Sequence, residues 1–167
     1  MPAFGSDRLR VTIVNLERQP VDGTNMESVV GDATNLTQFD DGEFDVVFSN
    51  SVIEHLRTFE AQLRMADEVR RVGKRYFVQT PNLYFPIEPH FLVPGFQFLP
   101  LDLRARLLSR FDLGWYKRIP DLDRARAEVE SVRLLSRGDL RRLFPEARIY
   151  EERFGGMVKS FVAYHGW

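Results

Sequence analysis

A strand-helix-strand pattern in the first half of the chain constrains its fold more than any other feature. The two strand segments, FDVVFSN at residues 44–50 and RYFVQTPN at residues 75–82, have the apolar, β-branched and aromatic composition of buried strands. Between them lies TFEAQLRMADEVRRVGK, whose apolar residues at helical spacing are Phe59, Leu63, Ala66 and Val69. Two strands joined by a crossover helix pair in parallel, so the sequence predicts an α/β fold.

Further elements are predicted on both sides of this unit. Upstream, VTIVNL at residues 11–16 and VVGDA at residues 29–33 have the composition of parallel strands covered on both faces. Downstream, helices are predicted in LDLRARLLSRF, in DRARAEVESVRLL and in SRGDLRRLFPEA, the last of which is capped by Ser136. The chain closes with ARIYEERF and MVKSFVAYHG, two strands that Gly155 and Gly156 join as an antiparallel hairpin.

Composition excludes several classes of partner and site. The 23 Lys and Arg residues nearly balance the 24 Asp and Glu residues, and the net charge of -1 provides no long-range attraction for nucleic acid. The chain has no cysteine, and its 3 histidines are scattered along the sequence, so we expect no metal site. It shows neither a signal peptide nor a segment apolar enough for a membrane helix, which predicts a cytoplasmic protein.

Polar residues follow the predicted strands. Glu17 follows the first strand, Asp32 lies within the second, and Asn50 and Ser51 end the third. In open α/β sheets ligands bind beyond the carboxyl ends of the strands, where an acid can accept hydrogen bonds from a ribose diol. The alternative for the two acids is simple exposure to water, and Asn50 and Ser51 are also common turn-capping residues.

Four segments in this order, VTIVNLE, GDATNLTQFDDGEFDVVFSNSVIEHL, ADEVRRVGKRYFVQTPN and the closing hairpin, resemble the class I S-adenosylmethionine-dependent methyltransferases. The order of GDA, a short polar spacer and FDVVFSNSVIEHL is similar to the small-molecule and lipid-directed branch of that family. The resemblance implies a Rossmann-like, mostly parallel sheet with a C-terminal antiparallel hairpin. It also implies S-adenosylmethionine as cofactor, a small-molecule or lipid-like acceptor, and one domain over residues 1–167 with an acceptor-side insertion at residues 83–130.

The resemblance also implies roles for individual residues. Glu17 is expected to bind the cofactor ribose, Asp32 and Ala33 to border the adenine, and Asn50 and Ser51 to line the cofactor cleft.

The resemblance further implies that His55 lies near the transferred methyl group or the acceptor. His90 is a second candidate base or acceptor contact, because it lies where the family has acceptor-binding insertions. A histidine with a near-neutral pKa suits removal of a proton from the acceptor, although a local structural role is an alternative for each. Around His90, an aromatic cluster is predicted either to cover a hydrophobic acceptor or to pack the loop; its members are Tyr84, Phe85, Phe91, Phe96 and Phe98.

The front of the chain departs from the family's pattern. The family's first strand and its glycine-rich loop should precede VTIVNLE, whereas only MPAFGSDRLR precedes it here, and Gly5 alone is no motif. The first strand would lie between the strands that correspond to VTIVNL and FDVVF. We therefore expect an N-terminally truncated fold, whose gap is closed by direct pairing of these two strands, by a second copy of the chain, or by a segment upstream of Met1.

Two functions follow from these expectations. The first is a methyltransferase that acts on a small-molecule or lipid-like acceptor. In this case a partner supplies the missing wall of the cofactor pocket, or other residues compensate for it. The second is a non-catalytic remnant of that fold that works as an interaction or dimerisation module, with strand pairing at the exposed inner sheet edge as its mode.

Overall fold

The structure is a computed structural model that describes residues 9–167. Its strands are β1 (Val11–Asn15), β2 (Met26–Val30), β3 (Val47–Asn50), β4 (Tyr76–Pro81), β5 (Arg148–Phe154) and β6 (Met157–His165). Its α-helices are α1 (Phe59–Val72), α2 (Leu101–Arg110), α3 (Leu122–Glu130) and α4 (Arg137–Leu143), and short 3₁₀ helices lie at Ile53–His55 and Phe96–Phe98. The expectations for residues 1–8, including Gly5, fall outside the described residues.

The strands form two sheets. One is the parallel pair β1–β2, and the other has the order β3-β4-β6-β5. In the larger sheet β3 and β4 are parallel and joined through α1, while β6 is antiparallel to both β4 and β5. The predicted α/β class, the crossover helix and the closing antiparallel hairpin are therefore confirmed.

The two sheets do not join through backbone pairing. β1 pairs only with β2 and β3 only with β4, so direct pairing of β1 with β3, one of the three expected closures, does not occur within residues 9–167. A cleft of about 220 Å³ lies between them, lined by Thr12 and Val14 of β1 and by residues 46–50 of the β3 segment. An unpaired strand edge therefore borders each side of the cleft.

The predicted bounds of β2 and β3 differ from the observed ones. β2 begins at Met26 and ends at Val30, so Asp32 lies in the following turn rather than in the strand. β3 begins at Val47, and Phe44 forms only an isolated bridge with Gly73. Ser136 caps α4 as predicted, because its Oγ accepts a hydrogen bond from the Asp139 N–H at 3.1 Å.

The prediction that β3 is a buried strand is wrong for one of its faces. Helices α1 and α4 pack on one face of the larger sheet, against Tyr76, Val78, Phe161 and Ala163. On the opposite face Phe48 stays 69% exposed, although its ring stacks on Phe77 at 5.5 Å. Successive strand residues point to opposite faces, so a sheet covered on one side exposes every second side chain.

The β1–β2 pair is tied to the rest of the protein mainly through α1. The Leu36 N–H, in the loop after β2, donates to Glu68 Oε2 at 2.5 Å. The Arg71 guanidinium donates to the carbonyl oxygens of Leu36 and Phe39, each at 2.9 Å, and to Glu68. The hydrogen bond from Arg71 lowers the pKa of Glu68 and keeps its carboxylate charged. These contacts replace the strand pairing that is absent between the sheets.

A second hydrophobic cluster lies under the segment predicted as an insertion. Its buried members are Phe91, Phe96, Ala105, Leu108, Ala125 and Val129, contributed by the aromatic loop, α2 and α3. Phe91 and Phe96 are therefore packing residues, as one of the two alternatives predicted. Tyr84 and Phe98 instead lie exposed and stack on each other at 6.3 Å. Within residues 9–167 no helix is long and apolar enough to cross a membrane.

Two leucines of α2 test whether this second cluster contributes its own stability. Leu108 is 0% exposed and Leu103 is 42% exposed on the same helix. We expect Leu108→Ala to lower the free energy of unfolding by about 2–5 kcal/mol, because it leaves a cavity in the cluster. Leu103→Ala should lower it by less than about 1 kcal/mol. Urea denaturation measures both, and equal losses would contradict a separately packed cluster.

Candidate functional site

The turn after β3 holds Ser51, one of the predicted cofactor contacts, in an unusual backbone conformation. Ser51 has a φ of 53°, in the left-handed region that residues other than glycine seldom adopt. Its N–H donates to the Gln79 carbonyl oxygen at 3.1 Å, and its Oγ bonds the Gln79 side chain at 3.1 Å. These two bonds to β4 hold the strained backbone, which costs on the order of 1–3 kcal/mol, and such strain is often found at binding sites.

The cleft between the sheets contains an unpaired polar atom. Ser49 and Asn50 line it from β3, and Ala33 lines it from the loop after β2. The Ser49 Oγ is buried and has no hydrogen-bond partner among the described residues. A buried hydroxyl without a partner is costly, so the cleft has a polar group available to a bound molecule.

Glu17 and Asp32 lie at the exposed ends of the smaller sheet. Glu17 is two residues beyond the end of β1, and its side chain is exposed. Asp32 is also exposed, and its Oδ1 accepts hydrogen bonds from the Thr34 N–H and Thr34 Oγ1, both at 2.8 Å. Neither acid lines the cleft between β1 and β3, whereas Ala33 and Asn50 do.

An apolar groove of about 470 Å³ opens beyond the carboxyl ends of β3 and β4. Ser51 and Gln79 border it on the sheet side, and Phe85, Ile87 and Leu92 contribute from the insertion. Asn50 lines the cleft between the sheets, its neighbour Ser51 lines this groove, and both also line a depression on the exposed face of the larger sheet. The end of β3 therefore borders both the cleft and the groove.

The structure brings His55 and His90 together, although they are distant in the sequence. Their ring centroids lie 5.0 Å apart in an edge-to-face arrangement. His55 ends the 3₁₀ helix after β3 and is exposed, whereas His90 lies in the insertion and is half-buried. Both predicted acceptor-side residues thus occupy one site at the edge of the larger sheet.

Two glutamates that the sequence analysis did not single out complete this cluster. Glu54 is 0% exposed; its Oε2 accepts from Thr80 Oγ1 at 3.0 Å, and its Oε1 has no hydrogen-bond partner in the described part of the chain. Glu88 Oε1 lies 2.7 Å from His90 Nδ1, and its Oε2 accepts from the N–H groups of His90 and Phe91. The adjacent letters EH and the short run EPH were the signals available in the sequence.

Burial and neighbouring charges shift the pKa values in the cluster in different directions. Burial raises the pKa of the Glu54 carboxyl group. Burial and the nearby His90 lower the pKa of His55. Burial also acts to lower the pKa of His90, but the hydrogen bond to Glu88 and the charges of Glu88 and Glu54 outweigh it, so the pKa of His90 is raised. The two histidines therefore differ in their readiness to accept a proton.

The cluster is supported from α1 by one buried amide. Gln62 is 0% exposed, and its Nε2 donates to the carbonyl oxygens of Ile53 and Arg133, each at 3.0 Å. Its Oε1 accepts from the Arg133 guanidinium, so both amide N–H groups and one lone pair of the amide oxygen are used. Gln62 thereby fixes the start of the 3₁₀ helix that carries Glu54 and His55.

Replacing this amide tests its supporting role. Gln62→Leu leaves two buried carbonyl groups and one guanidinium without their partner, so we expect a loss of about 1–3 kcal/mol in the free energy of unfolding. The same substitution at the exposed Gln38 should change stability by less than about 0.5 kcal/mol. Both values come from urea denaturation, and a Gln62→Leu variant as stable as Gln38→Leu would refute the assignment.

Comparisons with known proteins agree with this arrangement. Residues 7–76 match the family model described as Methyltransferase domain. Two uncharacterized proteins of Mycobacterium tuberculosis, from strains CDC 1551 / Oshkosh and ATCC 25618 / H37Rv, are 42% identical over 62 residues. The matched segment spans 37% of this chain and only 21% of each of these relatives.

A solved structure extends the likeness to nearly the whole chain. It is a SAM-dependent methyltransferase from Methanosarcina mazei, with a TM-score of 0.54 and 14% identity over 93% of this chain and 80% of that one. Residues 7–76 thus match a methyltransferase domain, and the described part of the chain shares the fold of this SAM-dependent methyltransferase.

Proposed function

We propose that this chain binds S-adenosylmethionine in the cleft between β1 and β3 and transfers its methyl group to a small-molecule or lipid-like acceptor. One observation carries the proposal: Asn50 lines the cleft and the adjacent Ser51 lines the apolar groove. In-line methyl transfer needs the sulfonium sulfur and the attacking nucleophile on opposite sides of the methyl carbon. The cleft and the apolar groove both border the end of β3, so cofactor and acceptor could meet there.

The residues present fit the adenosine half of the cofactor. In this proposal the exposed carboxylate of Glu17 binds the ribose diol, and Asp32 with Ala33 borders the adenine. Asn50 lines the remaining side of the cleft, where the unpaired Ser49 Oγ offers one more hydrogen bond, and Ser51 follows at the edge of the groove. The methionine half needs backbone N–H groups of a kind that glycine-rich loops provide. Residues 9–167 offer no such loop at the cleft, so this wall must come from elsewhere.

The acceptor class follows from the lining of the groove. Phe85, Ile87, Leu92 and Phe154 give it an apolar surface, and the near-zero net charge does not favour nucleic acid. Pro89, between Glu88 and His90, also lines the groove. Since Ser51 lies four residues before His55 and Pro89 directly precedes His90, we propose that one of the two histidines removes a proton from the nucleophilic group of the acceptor.

Calorimetric titration with S-adenosylhomocysteine tests cofactor binding. We expect micromolar affinity, about 8 kcal/mol, and at least a tenfold loss in the double variant Glu17→Ala, Asp32→Ala. The matched control is Glu60→Ala, Asp67→Ala, which removes two exposed acids from α1 and should bind as the wild type does. Absence of heat, and of thermal stabilisation at saturating ligand, would exclude cofactor binding by this chain alone.

A second candidate function is an interaction module that pairs with a second copy of the chain. Two features favour it. The edge of β3 that faces away from β4 has no strand partner in residues 9–167, and Phe48 next to the cleft is exposed. Free strand edges beside apolar side chains promote strand addition between chains. In this proposal the two copies close each other's gaps.

Sedimentation equilibrium distinguishes this second candidate. A concentration-dependent dimer is expected, and Phe48→Lys should weaken it at least tenfold because a charge enters the apolar contact. Phe111→Lys, at an equally apolar exposed position beyond α2, is the control and should leave the dimer intact. A monomer at every concentration, or equal weakening by both variants, would rule out pairing through β3.

A further inference from the structure

We propose that Glu54, His55 and His90 bind one divalent transition-metal ion. One ligand atom from each residue lies within 4.8 Å of the other two. Two ligands of a tetrahedral zinc ion, each about 2.1 Å from it, are about 3.4 Å apart. Pairs of ligand atoms therefore need to approach each other by no more than about 1.4 Å to close around an ion. Metal binding here is independent of whether the chain binds S-adenosylmethionine.

Glu54 supplies the observation that points to a cation. The side chain is completely buried, yet Oε1 has no hydrogen-bond partner within residues 9–167, while Thr80 Oγ1 donates to Oε2. A buried carboxylate oxygen without a partner is costly, and few native proteins tolerate one without a ligand, water or ion. A metal ion at the position faced by the two histidines would satisfy this oxygen.

His90 is oriented in the manner of a metal ligand. When the neutral ring donates its Nδ1–H to Glu88 Oε1, 2.7 Å away, Nε2 carries no proton and is available to a metal. Glu88 is itself fixed by two backbone N–H groups, from His90 at 2.8 Å and from Phe91 at 2.6 Å. Metal-binding histidines commonly donate their second nitrogen to a carboxylate, which fixes the ring and increases its basicity.

The donor set selects the class of metal. Two imidazole nitrogens and one carboxylate oxygen suit first-row transition ions such as Zn²⁺, whereas Mg²⁺ and Ca²⁺ prefer oxygen ligands alone. Glu88 and Glu128 add negative charge around His55, which further favours a cation. Because His55 is exposed, the coordination positions not taken by protein face solvent and are open to a water or to an acceptor oxygen.

A simple buried ion pair between Glu54 and His90 is the competing explanation. An ion pair needs only one histidine, and it gives no reason for the His55 ring to lie 5.0 Å from that of His90. It also predicts no saturable metal binding. The contribution of His55, which is exposed and therefore replaceable without harm to the fold, separates the two explanations.

Titration of the metal-free chain with Co²⁺ tests the site. We expect one equivalent to bind with micromolar or tighter affinity, to produce a visible d–d absorption band, and to be displaced by Zn²⁺. His55→Ala, His90→Ala and Glu54→Gln should each weaken binding at least tenfold, and Glu88→Gln by about 10–100-fold. Since Zn²⁺ stabilises the folded chain that binds it, the wild type should melt at a higher temperature with Zn²⁺ than without it, and His55→Ala should not.

His165→Ala is the matched control, because His165 is the third histidine and lies at the far end of β6 against Tyr76. It should bind Co²⁺ as the wild type does. Absence of a saturable one-to-one complex, or equal weakening by His165→Ala and His55→Ala, would overturn the proposal. Because Co²⁺ binding is read without cofactor, its outcome is separate from that of the S-adenosylhomocysteine titration.

Discussion

The hydrogen-bonded ion pair between Glu68 and Arg71 is the interaction on which the two-sheet arrangement depends. These side chains of α1 bind the loop after β2 through the Leu36 N–H and the carbonyl oxygens of Leu36 and Phe39. In an ordinary doubly wound sheet the strands themselves would make this connection through their backbone. Here one helix does so, and the position of β1 relative to β3, and hence the width of the cleft, is set by side chains.

One-sided covering of the larger sheet explains much of the surface. Helices α1 and α4 cover one face of the larger sheet, whereas Phe48 of β3 and Tyr150 of β5 stay exposed on the opposite face. Exposed apolar patches next to free strand edges are common in contact surfaces. The unpaired edge of β3 and the exposed ring of Phe48 lie next to each other, and the dimer proposed above rests on both features.

Elements with strong local signals were predictable from the sequence, and properties that depend on distant neighbours were not. The period of α1, the capping box at Ser136 and the glycine pair of the final hairpin are encoded within a few residues. The exposure of Phe48 depends on what covers the sheet, which composition alone does not reveal. The sequence analysis placed His55 and His90 on the acceptor side, but the packing of their rings depends on the insertion and is visible only in three dimensions. The burial of Glu54 beside them also depends on distant neighbours.

The two histidines are anchored in different hydrophobic cores. His55 follows Ile53 of the cluster on the larger sheet, whereas His90 precedes Phe91 of the cluster beneath the insertion. Any displacement of one core relative to the other changes the distance between the two rings. The walls of the apolar groove come from both the larger sheet and the insertion. Binding in the groove would therefore be thermodynamically linked to the distance between the two histidines. A ligand that draws the insertion toward the sheet would alter affinity at the histidines, and by reciprocity an ion held there would alter affinity in the groove.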